Sequence, residues 1–371
     1  MATPKILAPG ASIGILGGGQ LGRMLALAAA QMGYRTHVFC PEADNPASHV
    51  ATQATFAAYD DEKALAAFAA AVDVVTYEFE NVPAATALFL EHHTLVRPSW
   101  RALETAQDRI KEKTFFANIG VVTAPWRAVN SEADLQSALS EIGCPAVLKT
   151  SRLGYDGKGQ ANILSANDIS TAWAVIGGGK AKPHADGAAF AVLEGFVNFE
   201  CEISVIVARG VSGEVMAFEP ARNVHTHHIL DTSTVPARVN SSAVLKAITA
   251  TGLAATRLDL VGLLAVEYFV TKTGDVIANE MAPRPHNSGH WTMDACQTDQ
   301  FQQMVRAVCG LPLVDPARFA DVTMKNLIGD YLNNLAAQMT NPNAHVHLYG
   351  KAEARAGRKM GHVNHLTWPK T

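Results

Sequence analysis

Cysteine is scarce in this chain. Five of its 371 residues are Cys, at positions 40, 144, 201, 296 and 309, far apart and never as Cys-x-x-Cys. An odd, scattered set builds no disulfide framework and fits a reducing compartment, so a cytoplasmic protein is expected. Charge is scarce too. Asp, Glu, Lys and Arg make up 17% of the residues and the net charge is -4, which gives no bulk electrostatic ground for a nucleic-acid partner. No apolar run reaches the length of a membrane span, so no membrane partner is expected. The N-terminus lacks a basic region followed by an apolar run, so no signal peptide is expected. Internal repeats are absent. What remains is 48% hydrophobic, the composition of an ordinary globular protein of two or three domains.

The first hundred residues alternate strand and helix patterns. Ile13–Leu16 reads as a buried strand, Leu21–Met32 as a helix, Thr36–Phe39 as a second strand and Val72–Tyr77 as a later one. That alternation predicts a parallel, doubly wound sheet. A boundary falls near Pro98–Arg109, where a charged helix begins. Pro145–Lys149, Ala189–Glu194 and Cys201–Ala208 read as strands, and a glycine-rich loop runs from Gly177 to Pro183. The apolar helix near Phe301–Val308 ends at Gly310 as a C-cap, and a strand-and-loop tail follows about 320.

The segment Ala265 to Gly289 carries the strongest chemical signal. Two β-type runs flank Thr273-Gly274, which predicts a two-residue hairpin turn. With Lys272 facing Asp275, Glu267 lies opposite Glu280 on one face of the sheet. Facing carboxylates repel unless a hard cation sits between them, and Mg²⁺ takes such oxygen ligands. The alternative is a solvated acidic hairpin face. Asn279, Arg284, His286 and Asn287 add polar and cationic groups where the strand ends.

Two glycine-rich turns point to anions. Gly17-Gly18-Gly19-Gln20-Leu21-Gly22 follows a strand and opens a helix, with Glu42 about twenty residues on. That is the setting of a dinucleotide fingerprint, and equally of a sugar phosphate at a helix N-terminus. Gly154-Tyr155-Asp156-Gly157-Lys158-Gly159-Gln160 lacks a Walker ending and a following helix. Its backbone N–H groups could still wrap phosphate oxygens, with Lys149 adding a point charge. A plain surface hairpin is the alternative. Glycine content makes this loop flexible, so it is expected to be mobile without nucleotide and ordered with it.

Weaker signals follow. Glu194-Gly195-Phe196-Val197 and Glu202 offer an acid and free backbone at a strand end, suited to adenine and ribose. His225 and His227 would share a strand face, but without cysteine or carboxylate partners at metal spacing zinc is not expected. Lys351, Arg355 and Arg358 form a basic cluster that could grip a phosphate or be a solvated loop.

In this order the pieces resemble the ATP-grasp ligases, most closely the branch that carboxylates an aminoimidazole ribonucleotide in purine biosynthesis. Gly17–Met24, His286–Trp291 and Gly357–His362 are the segments specific to that branch, and the resemblance spans nearly the whole chain. It implies a mixed α/β and α+β chain: an ATP-grasp fold with an N-terminal Rossmann-like parallel-sheet domain and a small C-terminal domain. The implied domains are 1–108, 109–315 with a lid at about 115–195, and 316–371. The implied reaction joins ATP, bicarbonate and 5-aminoimidazole ribonucleotide through carboxyphosphate, with Mg²⁺ as cofactor, in a homodimer. Arg109, Lys149, Gly154 to Gln160, Asn279 and Glu280 would contact ATP phosphates and metal, with Glu267 as second metal ligand. Glu194, Gly195, Phe196, Val197, Glu202 and His225 would hold adenine and ribose. Gly19, Gln20, Leu21, Glu78, Asn81, His286, Asn287 and Ser288 would line the ribonucleotide site. Lys351, Arg355 and Arg358 would take its phosphate. Arg284 would grip bicarbonate and, with Tyr155, Asp156 and Lys351, form the catalytic set. The competing readings are another ATP-grasp ligase, of the formate-dependent glycinamide ribonucleotide transformylase or biotin carboxylase type, and an NAD-binding or non-enzymatic protein.

Overall fold

The computed structural model describes residues 6–154, 159–178, 187–330 and 335–368. Strands β1 (Ser12–Leu16), β2 (Arg35–Cys40), β3 (Gln53–Phe56) and β4 (Val74–Tyr77) form an all-parallel sheet in the order β3-β2-β1-β4. β1, β2 and β4 are almost wholly buried, as near-continuous apolar runs in a helix-covered parallel sheet should be. Helix Gln20–Gln31 follows β1 and buries Leu21, Met24, Leu25, Ala28 and Ala29, a helical stripe rich in good helix formers.

β5 (Trp126–Val129), β6 (Ala146–Thr150), β7 (Gln160–Ile163) and β8 (Ala191–Gly195) make a second, antiparallel sheet in the order β5-β8-β6-β7. The third sheet holds β9 (Phe199–Arg209), β10 (Val215–Ala217), β11 (Ala221–Thr226), β12 (Ile229–Val235), β13 (Gly262–Thr271), β14 (Val276–Ala282), β15 (Asp321–Ile328), β16 (Ala344–Leu348) and β17 (Lys359–Thr367). Its order is β14-β13-β9-β11-β12-β15-β17-β16, with β10 beside β9. The C-terminal strands therefore continue this sheet through the β12–β15 pairing. One apolar cluster ties the molecule together, joining Ile13 and Leu25 to Phe301, Met304, Val322 and Leu366.

Helix Gln300–Cys309 ends at Gly310 in the left-handed region, φ 75°, as its position in the sequence predicts. The hairpin turn differs from expectation. Thr271 N–H donates to the Asp275 carbonyl, so the loop is the three residues Lys272-Thr273-Gly274 and not the pair Thr273-Gly274. This shifts the ladder by one residue, and β14 then carries a bulge at Asn279 that shifts it back. Glu267 ends directly opposite Glu280, as counted from the wrong turn, because the two displacements cancel.

Candidate active site

A cleft of about 980 Å³ opens where the three sheets meet. The turn after β1, the loop after β4, helix Arg109–Asn118, β6, the β9–β11–β13–β14 face and the segment before β17 all contribute to it. A smaller pocket beside Thr123–Ala128 gathers no cluster of ionisable groups.

One end is charged. Asp108 caps helix Arg109–Asn118 by accepting from Ile110 and Lys111 N–H. Arg109, Glu112 and Lys113 then share one helical face, at i, i+3 and i+4. Arg109 Nη1 lies 3.1 Å from Glu280 Oε2. Lys113 and Lys149 Nζ lie 3.1 and 3.2 Å from the same oxygen of Glu194. Lys149 also reaches Asn279 Oδ1 at 3.5 Å. Burial by itself would raise the Glu194 pKa, but Lys149, Lys113 and Arg109 outweigh it and hold the carboxyl at about 2. Burial pushes Glu112 up to about 8, against the pull of Lys113 and Arg109. The cluster thus sets three basic side chains, Arg109, Lys113 and Lys149, around the carboxylates of Glu194 and Glu280, an arrangement suited to phosphate.

The bulge at Asn279 has a direct consequence. Alternate residues of a regular strand point to opposite faces, yet Asn279 and Glu280 both line the cleft. Burial and the facing Glu280 push the Glu267 pKa up, while Arg109 and Lys149 hold Glu280 down. Ser288 N–H donates to His286 Nδ1 at 3.3 Å, so Nδ1 is the acceptor and the ring proton sits on Nε2, 3.6 Å from Glu267 Oε1. Glu202 Oε2 lies 3.0 Å from His225 Nδ1. Among the described residues, Glu202, His225 and Glu267 are the one trio of potential metal ligands that converges. His225 thus has the carboxylate neighbours that sequence spacing did not reveal, contributed by two other strands. His227 is not on a strand face with it but in the exposed turn, at φ 51°.

The other end is built on the first glycine turn. Gly17 adopts φ 111°, and a Cβ there would meet Glu78 Oε1 at 2.5 Å. The Glu78 carboxylate accepts from Gly19 N–H at 2.7 Å and Gly22 N–H at 3.2 Å. A side chain thus fills the helix N-terminus that a dinucleotide pyrophosphate would occupy. Gly19, Gln20, Leu21, Glu78, Asn81, His286 and Asn287 line the same cleft, as does Arg284, which is ion-paired to Glu80.

Of the other expected residues, Arg109, Lys149, Gly154, Gln160, Phe196, Glu202, His225, Lys351 and Arg358 also line the cleft. Several expectations are corrected. Arg355 does not converge with Lys351 and Arg358: its side chain is 70% exposed and pairs with Glu353, and Lys359 lines the cleft instead. Ser288 is fully buried behind His286. The Glu194 carboxylate faces the lysines and not the open cleft. The backbone near it is largely committed, since Gly195 and Phe196 N–H donate to the Pro125 and Pro145 carbonyls. Among the described residues Val197 N–H donates to no other group. Gly195 and Val197 are outside the lining, and so is Gly159, which sits beside Thr150. Tyr155, Asp156, Gly157 and Lys158, with residues 179–186 of the second loop, lie outside the described residues. Glu112, Lys113 and Lys359 were missed. For the first two, the i, i+3, i+4 run of charges from Arg109 was the available signal.

Known proteins match along the whole chain. Residues 11–107 match the ribonucleotide synthetase preATP-grasp domain, 114–301 the ATP-grasp domain, and 322–368 the phosphoribosylaminoimidazole carboxylase C-terminal domain. The N5-carboxyaminoimidazole ribonucleotide synthase of Brucella melitensis biotype 1 is 51% identical over 365 residues, 98% of each chain. The ADP complex of an N5-carboxyaminoimidazole ribonucleotide synthetase superposes with a TM-score of 0.93 at 44% identity, covering 98% of this chain and 94% of that one. The Aspergillus clavatus N5-carboxyaminoimidazole synthase in complex with ADP and 5-aminoimidazole ribonucleotide gives 0.88 at 28% identity, covering 97% and 94%.

Proposed function

The chain belongs to the N5-carboxyaminoimidazole ribonucleotide synthase family of ATP-grasp ligases, and from that membership we propose how its cleft divides the work. The reaction is the ATP-dependent carboxylation of 5-aminoimidazole ribonucleotide with bicarbonate, giving N5-carboxyaminoimidazole ribonucleotide, ADP and phosphate in purine biosynthesis. One observation carries the assignment of ends. A cationic cluster with facing carboxylates and a glycine turn closed by Glu78 open into the same cavity. The first end suits a nucleotide triphosphate, and the second suits a ribonucleotide that is not a dinucleotide.

A bicarbonate oxygen attacks the γ-phosphorus and ADP leaves, forming carboxyphosphate. The exocyclic amine takes up the carboxyl carbon, phosphate departs with the bridging oxygen, and the amine loses a proton. Phosphoryl transfer asks the protein for position and charge neutralisation. Arg109, Lys149 and Lys113, with the 154–160 loop, supply cations and backbone donors. Val147, Phe196, Phe199 and Phe269 give adenine an apolar stretch of the cleft, with the Val197 backbone one residue beyond Phe196, and Glu202 with His225 suits the ribose. Arg284 holds bicarbonate between the two ends. Gln20, Glu78, Asn81, His286 and Asn287 hold the imidazole ribonucleotide, with Lys351, Arg358 and Lys359 for its phosphate. Tyr155 and Asp156 remain assigned to the amine side.

Glu267 and Glu280, opposite each other in the ladder, would offer oxygen ligands together with Asn279 Oδ1, and the repulsion between the two facing carboxylates is what a hard cation relieves. Mg²⁺ bound there supplies charge neutralisation on the phosphates. Family membership also carries the expectation of a cytoplasmic homodimer. Among the described residues no helix is long and apolar enough to cross a membrane.

The test uses ¹⁸O-labelled bicarbonate. One label should move into inorganic phosphate with wild-type protein. Glu280→Gln should cut turnover on the order of a hundredfold or more, the size expected when preorganised charge stabilisation is removed. Unlabelled phosphate, or near-normal turnover of Glu280→Gln at low Mg²⁺, would contradict the assignment.

A further inference from the structure

Glu112 is a cleft carboxylate that this division of labour does not use. It is 1% exposed, and one carboxyl oxygen accepts the Met281 backbone N–H across 169 residues of sequence. Met281 directly follows the bulged pair Asn279–Glu280. β14 is an edge strand of its sheet, so one side of it has no full partner strand. On that outer side Ala278 N–H donates to the Val122 carbonyl at 2.8 Å, and the next outward N–H held is that of Met281. Outward N–H groups of a regular strand recur every second residue. Here they are three apart, because the bulge lies between them.

We propose that Glu112 is a positioning residue: with the Val122 carbonyl it clamps the bulge from outside, so that Asn279 and Glu280 face the cleft together. The inference rests on the reading of Asn279 and Glu280 as the residues that meet metal and phosphates. What the clamp needs is an acceptor oxygen at the right reach, and a fixed negative charge is not required. Burial, which favours the neutral carboxyl, points the same way.

Two variants separate reach from charge. Glu112→Gln keeps the acceptor and removes the ionisable group. Glu112→Asp keeps the ionisable group and withdraws the oxygen by one methylene. Three quantities are read: amide hydrogen exchange of residues 276–282 in metal-free protein, Mn²⁺ binding in the presence of ADP, and the KM for 5-aminoimidazole ribonucleotide. The Gln protein should keep the Met281 amide protected and bind Mn²⁺ as wild type does. The Asp protein should exchange that amide faster and bind Mn²⁺ more weakly, each on the order of tenfold, the effect of stranding a buried donor. Its KM for the ribonucleotide should not move. An Asp protein that matches wild type, or a Gln protein that loses protection, overturns the proposal. Because Gln conserves volume, loss of protection in that protein suffices even if Asp does not fold. Glu280→Gln, measured alongside, keeps the two readings apart. If it binds Mn²⁺ normally, the metal assignment fails, whatever Glu112 does.

Discussion

Lys113 and Glu194 are 1% and 3% exposed, and their pairing governs how the charged end of the cleft responds to acid. Burial disfavours the Glu194 carboxylate, but Lys149, Lys113 and Arg109 hold its pKa at about 2, against 4.5 for an ordinary glutamate. The folded value is the depressed one, so the stabilisation is fully present above about pH 4.5 and is lost as pH falls towards 2. Glu194→Gln leaves two buried ammonium groups without their anion and should cost about 3–5 kcal/mol at pH 7. The gap in melting temperature between wild type and Glu194→Gln should then close between pH 4.5 and 2. A gap that stays constant with pH would contradict the charge account. Residues such as Lys149 and Glu202 were legible because they stand at strand ends beside other signals. The direction of the Glu194 side chain was not, because it depends on Lys113 from a helix eighty-one positions earlier. Arg355 was misplaced for a simpler reason: its neighbour Glu353 offers a local partner, which sequence proximity to Lys351 and Arg358 obscured.

Among the elements, the turn after β1 and the bulge in β14 set which groups face the cleft. The first has the spacing of a dinucleotide fingerprint, and only the three-dimensional position of Glu78 excludes that use. Displacing this carboxylate would expose two helix N-terminal N–H groups and put phosphate charge beside Glu78. Calorimetry with NAD or NADP should therefore give no saturable heat, while 5-aminoimidazole ribonucleotide should bind. Saturable NAD binding would contradict the reading of Gly17 to Gly22. The facing of Glu267 and Glu280 was reached from the sequence by a count that began at the wrong turn. Gly274, at φ 82°, closes a three-residue loop, and the bulge at Asn279 restores the register. Strand periodicity and glycine placement made the parallel sheet, the hairpin and the helix ending at Gly310 readable. A bulge has no such local signature, since it is held by Val122 and Glu112 from other parts of the chain.

At the scale of the molecule, one apolar cluster and one cleft draw on all three matched segments, so no segment carries the chemistry alone. The continuation of the central sheet through β12 and β15 brings Lys351, Arg358 and Lys359 to the same cavity as the Gly17–Gly22 turn. That convergence could be anticipated only from the family resemblance, because pairings between strands some ninety residues apart leave no periodic trace. The chain couples ATP cleavage to carboxylation of an aminoimidazole ribonucleotide. ADP release in the presence of bicarbonate and Mg²⁺, measured with each acceptor in turn, tests it most directly. Strong stimulation by 5-aminoimidazole ribonucleotide is expected, with one ADP per N5-carboxylated product, and none by glycinamide ribonucleotide or biotin. Stimulation by either of those two, or ADP release indifferent to 5-aminoimidazole ribonucleotide, would contradict it.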